Sequence, residues 1–183
     1  MKKPNPSLLL VAAIALSAMS ALAQEKRVSP HETTSAVIDG SRVTIVYGRP
    51  YTKNPRTGEE RKIWGGLVPY GKVWRMGADE STLLITQKPL MIGGTPIPAG
   101  AYSLYALPEE DGPTKLIINK QIGQWGTQYN QSHDLARVDM TKESLDTPVN
   151  QLTVEVAKNP SGGGVIKMMW EKTQFSVPFT VSK

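Results

Sequence analysis

The feature that most constrains this sequence is a two-residue alternation of apolar and polar side chains in short segments. The alternation is clearest in 151–156, and it recurs in 42–47 and in 174–181. Successive side chains of a β-strand point to opposite faces of the sheet, whereas an amphipathic helix repeats about every 3.6 residues. The pattern therefore predicts half-buried strands in these three segments.

Turn-forming residues separate these and other predicted strands. Gly93-Gly94 predicts a hairpin turn between two short extended pieces, and 161–164 predicts a flexible loop before the last strands. Pro178 cannot donate a backbone hydrogen bond, so we expect the final strand to lie at a sheet edge. The only helix candidate is 134–145, and its apolar spacing is poor. The additional predicted strands are 81–87, 101–107, 115–119 and 165–170.

Many short strands, with turn signals about every 8–12 residues, favour an all-β fold. We predict an antiparallel β-sandwich, jelly-roll or immunoglobulin-like, in a single domain over 35–183. The polar segment 24–34 is predicted to be a flexible lead-in to this domain. A chain of this length buries enough surface to hold a core without disulfides, which agrees with the absence of Cys.

The first segment, 1–23, has the features of a secretory signal peptide. Two lysines precede an apolar run over 8–16, and small residues at 21–23 form a cleavage site. A transmembrane anchor is the alternative, but the apolar run is shorter than the roughly 20 residues that a span needs. We expect cleavage after Ala23, a secreted or periplasmic location, and no membrane span once the signal is removed.

Composition excludes several classes of function. Without Cys the chain has no disulfide scaffold, no thiolate metal centre and no Cys nucleophile. Loss of the two lysines in 1–23 lowers the formal net charge from +5 to +3, which is 19 basic minus 16 acidic residues. A charge this small gives no electrostatic reason to expect nucleic acid as a partner. His31 lies about a hundred positions from His133 and Asp134, without a familiar metal-binding spacing. We therefore predict no metal site and no cofactor.

The segment 61–80 combines aromatic, basic and acidic side chains with glycines, which is typical of a surface that holds a small molecule or a saccharide. Arg49 ends a predicted strand, where a guanidinium can bind a carboxylate or phosphate. Trp125 lies in a turn bounded by glycines. The candidate ligand-binding residues are Arg49, Arg61, Trp64, Tyr70, Trp74, Arg75, Asp79, Glu80 and Trp125.

Two other interpretations of this segment stay open. In one, Trp64 and Trp74 anchor the core, while Arg75 pairs with a nearby acid to fix a loop. In the other, Asp79 or Glu80 is the acid or base of a hydrolase that acts on a glycan or an ester. That role needs two carboxylates facing one bond about 5–10 Å apart. Adjacent strand residues point to opposite faces, so these two acids form a poor pair unless a turn intervenes.

A series of motifs runs along almost the whole of the chain after the signal segment. They are SPH at 29–31, YGRP at 47–50, RKIWGGLVPYGKVWR at 61–75, GADE at 77–80, PAGAYSL at 98–104, NK at 119–120, QWG at 124–126, WEK at 170–172 and VPF at 177–179. This set resembles the bacterial domain of unknown function 2911 family. The resemblance implies an exported bacterial protein without an established activity, and it transfers no catalytic residue. Asp79 stands where that family more often has Asn, which adds a charge beside Glu80.

Taken together, these patterns favour an exported, non-catalytic module that binds a small molecule or a saccharide, or that associates with the cell envelope. The alternative is the hydrolase described above. A purely structural role is a third hypothesis, and it depends on an exposed sheet edge at 174–181 that is free to pair. No pattern in the sequence indicates an oligomeric state.

Overall fold

The computed structural model describes residues 27–182, so the signal peptide predicted over 1–23 lies outside the described residues. Within this range the chain forms ten β-strands and one 3₁₀ turn, Gln131–His133. The strands are β1 (His31–Ile38), β2 (Ser41–Gly48), β3 (Thr82–Thr86), β4 (Leu90–Ile92), β5 (Thr95–Ile97), β6 (Gly100–Leu107), β7 (Lys115–Asn119), β8 (Asp134–Asp139), β9 (Thr141–Lys158) and β10 (Gly164–Val181). No helical segment between residues 27 and 182 has the length and hydropathy that crossing a bilayer requires.

The strands form two antiparallel sheets, which confirms the predicted all-β sandwich. The larger sheet has the order β1-β2-β3-β6-β7-β8, and the smaller sheet has the order β5-β4-β10-β9. The chain leaves the larger sheet after β3, makes the β4–β5 hairpin at Gly93-Gly94 in the smaller sheet, and returns as β6. That hairpin turn was predicted from the glycine pair.

The core lies between the two sheets and takes its side chains from alternate strand positions. Leu84 and Leu104 point inward from the larger sheet, and Met168 from the smaller one, all without solvent exposure. Burying each such side chain contributes about 1.5–3 kcal/mol. Two hydrogen bonds join Tyr47 of β2 to Val154 of β9 across the core, because the Tyr47 hydroxyl donates to the carbonyl oxygen of Val154 at 3.2 Å and accepts from its N–H at 2.9 Å.

Strand β1 begins inside the segment predicted as a flexible lead-in. It pairs with β2 along its whole length, from His31 opposite Gly48 to Ile38 opposite Ser41. The sequence signal is weak because β1 is the edge strand of the larger sheet, and most of its side chains are exposed. A strand of this kind lacks the apolar alternation on which the prediction relied.

The helix candidate at 134–145 is wrong. Residues 134–139 form β8, and β9 begins at Thr141. Ala136 and Val138 alternate inward and are buried, and β8 pairs with β7. The first half of β9 is mostly exposed, so it carries no apolar pattern of either period.

The prediction that the final strand lies at a sheet edge is also wrong. Strand β10 is continuous and lies between β9 and β4 in the smaller sheet. It pairs with β9 as far as Ser176 and with β4 from Phe179 onward. Pro178 falls in the gap between the two ladders, so its missing N–H breaks no ladder hydrogen bond. The edge required by the purely structural hypothesis is therefore taken up by pairing within the molecule.

Candidate functional site

Most of the predicted ligand-binding residues lie in the irregular segment 49–81, which joins β2 to β3. Isolated bridges attach this segment to both sheets. Trp74 pairs with Ala106 in the larger sheet, and residue 51 pairs with residue 151 of β9. Such attachments hold an otherwise irregular loop at fixed positions against the sandwich.

Trp64 and Trp74, the tryptophans of this segment, pack against aromatic side chains of the core. Trp74 stacks on Trp170, with ring centroids 6.0 Å apart and an angle of 21° between the planes. Trp64 makes edge contacts with Trp74 at 6.3 Å and with Phe175 at 5.1 Å. Trp170 has no solvent exposure. Trp64 and Trp74 are thus core anchors, as one of the two other interpretations holds.

Trp74 also forms part of a cavity of about 500 Å³, which we name the arginine cavity. This volume lies in the range of about 300–1,000 Å³ that is typical of small-molecule sites. Its lining includes three arginines and two tryptophans. The residues that define it are Arg56, Arg61, Arg75, Leu67, Trp74, Asp79 and Trp170.

The guanidinium groups of the arginine cavity have no carboxylate partner in the part of the chain that the structure describes. Arg61 donates to the carbonyl oxygens of residues 51 and 52, and Arg75 donates to the carbonyl oxygen of Gly77 at 3.2 Å. Neither of them, nor Arg56, forms a salt bridge with any residue from 27 to 182. The indole N–H of Trp170 also lacks a described hydrogen-bond partner. The three arginines outnumber the one carboxylate of the lining, Asp79, so the cavity has an excess of positive charge and unused donors.

A second arrangement lies beside the arginine cavity and consists of His31, Asp79 and Glu80, which we name the His31 cluster. Nε2 of His31 lies 3.4 Å from Oδ2 of Asp79 and 3.3 Å from Oε2 of Glu80. Arg27 donates two hydrogen bonds to the carboxylate of Glu80, at 2.6 and 2.8 Å. The acids thus lie beside Arg27 and His31, and neither forms a salt bridge with Arg75 as the local interpretation required.

The backbone of Asp79 explains why two adjacent carboxylates face one site. Its φ of +64° lies in the left-handed region, so the chain turns at this residue instead of continuing as a strand. Gly126 supports the turn, because its N–H donates to the carbonyl oxygen of Asp79 at 2.9 Å. A Cβ on Gly126 would lie 2.2 Å from Cδ of Arg75, so only glycine fits there. This is the intervening turn that the sequence pattern left undecided.

The hydrogen bonds from Arg27 set the charge of the His31 cluster. They lower the pKa of Glu80 to about 2, and the same contact raises the pKa of Arg27. Glu80 is therefore ionised near neutral pH. A cavity of about 220 Å³, lined by His31, Glu80, Tyr47 and Leu83 among others, opens next to the cluster.

The remaining candidates lie outside these two arrangements. Arg49 donates to the carbonyl oxygen of Leu152 at 2.9 Å and to the hydroxyl of Thr153 at 2.8 Å, so it joins the two sheets. Tyr70 is half-buried, and its ring covers Gly65. Trp125 is 47% exposed and pairs through its backbone with residue 80, so it is not a core residue.

His133 and Asp134 do not join His31. Asp134 accepts hydrogen bonds from Asn119 at 2.8 Å and from Tyr129 at 2.6 Å, at the start of β8. Burial, with the neighbouring carboxylate adding to it, raises the pKa of Tyr129 to about 12. The histidine–carboxylate grouping weighed from the sequence is therefore not formed.

Sequence reasoning did not assign Arg27, His31 and Arg56 to the site. Arg27 and Glu80 are 53 positions apart, and no periodicity connects residues across such a distance. The one available signal was the SPH motif at 29–31, which was assigned to a flexible lead-in.

Another pair of carboxylates lies on a different surface. Glu60 and Glu171 both line a cavity of about 440 Å³, together with Thr52 and Asn150. Burial raises the pKa of Glu171, and the charge of Glu60 adds to this effect. Glu171 also has a left-handed φ of +51°, at the irregular part of the β9–β10 pairing.

The family model described as a protein of unknown function (DUF2911) matches residues 29–179. The match spans well over half of the chain, so the chain belongs to this family, and the resemblance inferred from the motifs is confirmed. Searches of curated proteins and of solved structures returned no match.

Proposed function

We propose that this member of the DUF2911 family is an exported, non-catalytic module that binds a small anionic ligand in the arginine cavity. The observation that carries the proposal is that three arginines and only one carboxylate, Asp79, line the cavity, and that none of the three arginines forms a salt bridge with residues 27–182. An unpaired guanidinium presents a planar fork of donors that matches the oxygens of a carboxylate or phosphate. The ligand supplies negative charge in addition to that of Asp79.

The aromatic part of the cavity narrows the ligand class. Trp74 offers a flat apolar surface beside the guanidinium groups of Arg61 and Arg75. A ligand that combines a carboxylate with a ring face, such as an acidic saccharide, uses both features at once. A free inorganic anion uses only the charge, so it should bind more weakly than an acidic saccharide.

The test is a thermal-shift and calorimetric comparison of four probes with the purified protein. The probes are inorganic phosphate, a small dicarboxylate, a uronic-acid oligosaccharide and a neutral oligosaccharide of the same length. A ligand at 100 times its Kd adds about 2.7 kcal/mol of stability, which a thermal shift resolves. We expect the uronic-acid oligosaccharide to stabilise most and the neutral oligosaccharide not to stabilise at all.

Substitutions test whether the ligand binds in the arginine cavity. Arg75→Gln should abolish the response, and Arg75→Lys should retain part of it, because a lysine keeps the charge but loses the fork. Arg42→Gln is the matched control, since Arg42 is exposed on β2 and does not line the cavity. If no anionic probe binds, or if Arg75→Gln binds as well as the wild type while folded, the proposal is wrong.

The hydrolase alternative does not suit Glu80, one of the two carboxylates first considered for it. A group with a pKa near 2 holds no proton near neutral pH and is a weak base, so Glu80 fits neither acid nor base catalysis. Glu171 is better suited, because its pKa is raised beside a second carboxylate in a cavity. Hydrolysis of chromogenic glycosides or esters that is lost in Glu171→Gln, but kept in a Glu155→Gln control outside the cavity lining, would favour this alternative.

Export is a separate part of the proposal and rests on the segment 1–23. We expect the isolated protein to begin at Gln24 and to be recovered from the periplasm, the medium or the envelope fraction. N-terminal sequencing of the protein from fractionated cells tests this. An intact segment 1–23 on the purified protein would contradict it.

A further inference from the structure

The three side chains of the His31 cluster are spaced like the ligands of a metal ion. Nε2 of His31 lies 3.4 and 3.3 Å from oxygens of Asp79 and Glu80, and all three ligand atoms lie within 4.8 Å of one another. Two ligands about 2.0–2.1 Å from one tetrahedral ion are themselves roughly 3.3–3.4 Å apart. The imidazole-to-carboxylate distances therefore leave room for an ion between the three atoms.

A positive charge already lies at this point. Nη1 of Arg27 is 2.6 Å from Oε2 of Glu80, 2.9 Å from Nε2 of His31 and 3.7 Å from Oδ2 of Asp79. A guanidinium only donates hydrogen bonds, so Nε2 is the acceptor in its contact with Arg27. The lone pair of His31 therefore points at the same place as the two carboxylates, which is the orientation that metal ligation needs.

We propose that His31, Asp79 and Glu80 form a binding site for a divalent transition cation, and that Arg27 takes the place of this cation when none is bound. The cation, with its charge of +2, balances the two carboxylates, so Arg27 is released from the cluster. This proposal does not depend on the arginine cavity having a ligand.

The donor set limits the kind of cation. An imidazole nitrogen suits Zn²⁺ and related transition metals, and the two carboxylates also suit Mn²⁺, whereas Ca²⁺ and Mg²⁺ prefer oxygen ligands alone. Three protein ligands leave at least one position of a tetrahedral ion for water or another small molecule. The neighbouring cavity of about 220 Å³ gives that position space on the side of Glu80.

The test is the binding of Zn²⁺, Mn²⁺ and Ca²⁺ to the chelator-treated protein, measured by calorimetry. We expect one Zn²⁺ or Mn²⁺ per chain and much weaker binding of Ca²⁺. Glu80→Gln should weaken the binding by more than the roughly tenfold to hundredfold that loss of an outer partner costs. Arg27→Gln should instead tighten it, because the competing guanidinium is removed.

Asp139→Asn is the matched control, since Asp139 is an exposed carboxylate that pairs with Lys115 away from the cluster. It should leave the affinity unchanged. The opposite effects of Glu80→Gln and Arg27→Gln separate a metal site from a plain ion-pair cluster, in which neither variant would bind metal. Absence of Zn²⁺ and Mn²⁺ binding in both the wild type and Arg27→Gln would overturn the proposal.

A spectroscopic measurement covers the case in which a variant fails to fold. The chain has only two histidines, so the imidazole resonances of His31 and His133 are easily distinguished. Mn²⁺ bound at the cluster should broaden the resonances of His31 in the wild type and leave those of His133 sharp. Equal broadening of both, or broadening of His133 alone, would contradict the proposal.

Discussion

The arginine cavity and the His31 cluster share Asp79, yet they hold their charges in different ways. In the cavity, Arg61 and Arg75 donate only to backbone carbonyl oxygens, and no carboxylate pairs with them among residues 27–182. In the cluster, each carboxylate lies within 4 Å of a basic side chain. The first arrangement has an excess of positive charge that can bind a ligand, and the second has negative charge that Arg27 balances in part.

The two arrangements also differ in what supports them. The wall of the cavity is continuous with the core through the stack of Trp74 on Trp170. The cluster lies at the surface and depends on Arg27 and on the first residue of the edge strand β1. Substitutions in the cavity wall should therefore affect folding, whereas substitutions in the cluster should mainly affect binding.

The largest expected effect tests the wall of the cavity. Trp170→Ala removes a fully buried side chain and should lower the free energy of unfolding by about 3–5 kcal/mol, because the surroundings cannot refill the space. Urea denaturation followed by fluorescence measures this. Trp125→Ala is the control, since Trp125 is 47% exposed and its loss should change the free energy by less than about 0.5 kcal/mol. Similar losses in both variants would remove the distinction between core and surface indoles.

The next effect tests the part of the loop that both arrangements share. A methyl group at Gly126 would lie 2.2 Å from Cδ of Arg75 and 2.8 Å from the carbonyl oxygen of Asp79. Gly126→Ala should cost about 1–3 kcal/mol through overpacking, and it should weaken both the anionic ligand and the cation. Urea denaturation and calorimetry with both probes measure these changes.

Gly58→Ala is the control that distinguishes the steric clash at Gly126 from the strain of a left-handed backbone alone. Gly58 has a φ of +76° but nothing within 4 Å of its Cβ position. The substitution should cost about 1–2 kcal/mol for the left-handed conformation alone and leave both affinities unchanged. If Gly58→Ala reduces both affinities as much as Gly126→Ala does, the loop 75–80 is not what supports both the arginine cavity and the His31 cluster.

The same contrast shows how much could be predicted from the sequence. The strands that bury one face, such as 151–156, and the glycine hairpin at 93–94 were found because burial and turn geometry impose local patterns. Strand β1 and the first half of β9 were missed because their exposed side chains impose none. A local sequence pattern indicates which side chains are buried. The exposed strands β1 and the first half of β9 form instead because neighbouring strands pair with them.

The residues of the candidate site also differ in whether the sequence could predict them. The cavity residues Arg61, Trp74 and Arg75 were found because they are concentrated in one short segment. The cluster required Arg27 to meet Glu80 from 53 positions away, and it required a left-handed Asp79. Neither a long-range contact nor a turn at a non-glycine residue leaves a signal in the composition of a segment.

A smaller effect tests the backbone at Asp79 separately from its charge. Asp79→Gly and Asp79→Ala both remove the carboxylate, but only glycine adopts a φ of +64° without a steric cost. We expect Asp79→Ala to be less stable than Asp79→Gly by about 1 kcal/mol, with equal loss of cation binding. Equal stabilities in urea denaturation would mean that the loop relaxes and that the left-handed turn does not hold the acids together.

The smallest effect concerns the ion pair of Arg27 with Glu80, with chelator present so that no cation competes. Arg27 lowers the pKa of Glu80 from 4.5 to about 2, so the ionised carboxylate is favoured more in the folded chain than in the unfolded chain. This contribution to stability is complete above pH 4.5 and is lost as the pH falls toward 2. The pair is partly exposed, which keeps the contribution small and sensitive to salt. The difference in unfolding free energy between the wild type and Glu80→Gln should therefore shrink between pH 4.5 and 2. A constant difference over this range would show that Glu80 does not form this ion pair in solution. The carboxylate of Glu80 would then lack an ion-pair partner, as the arginines of the cavity do.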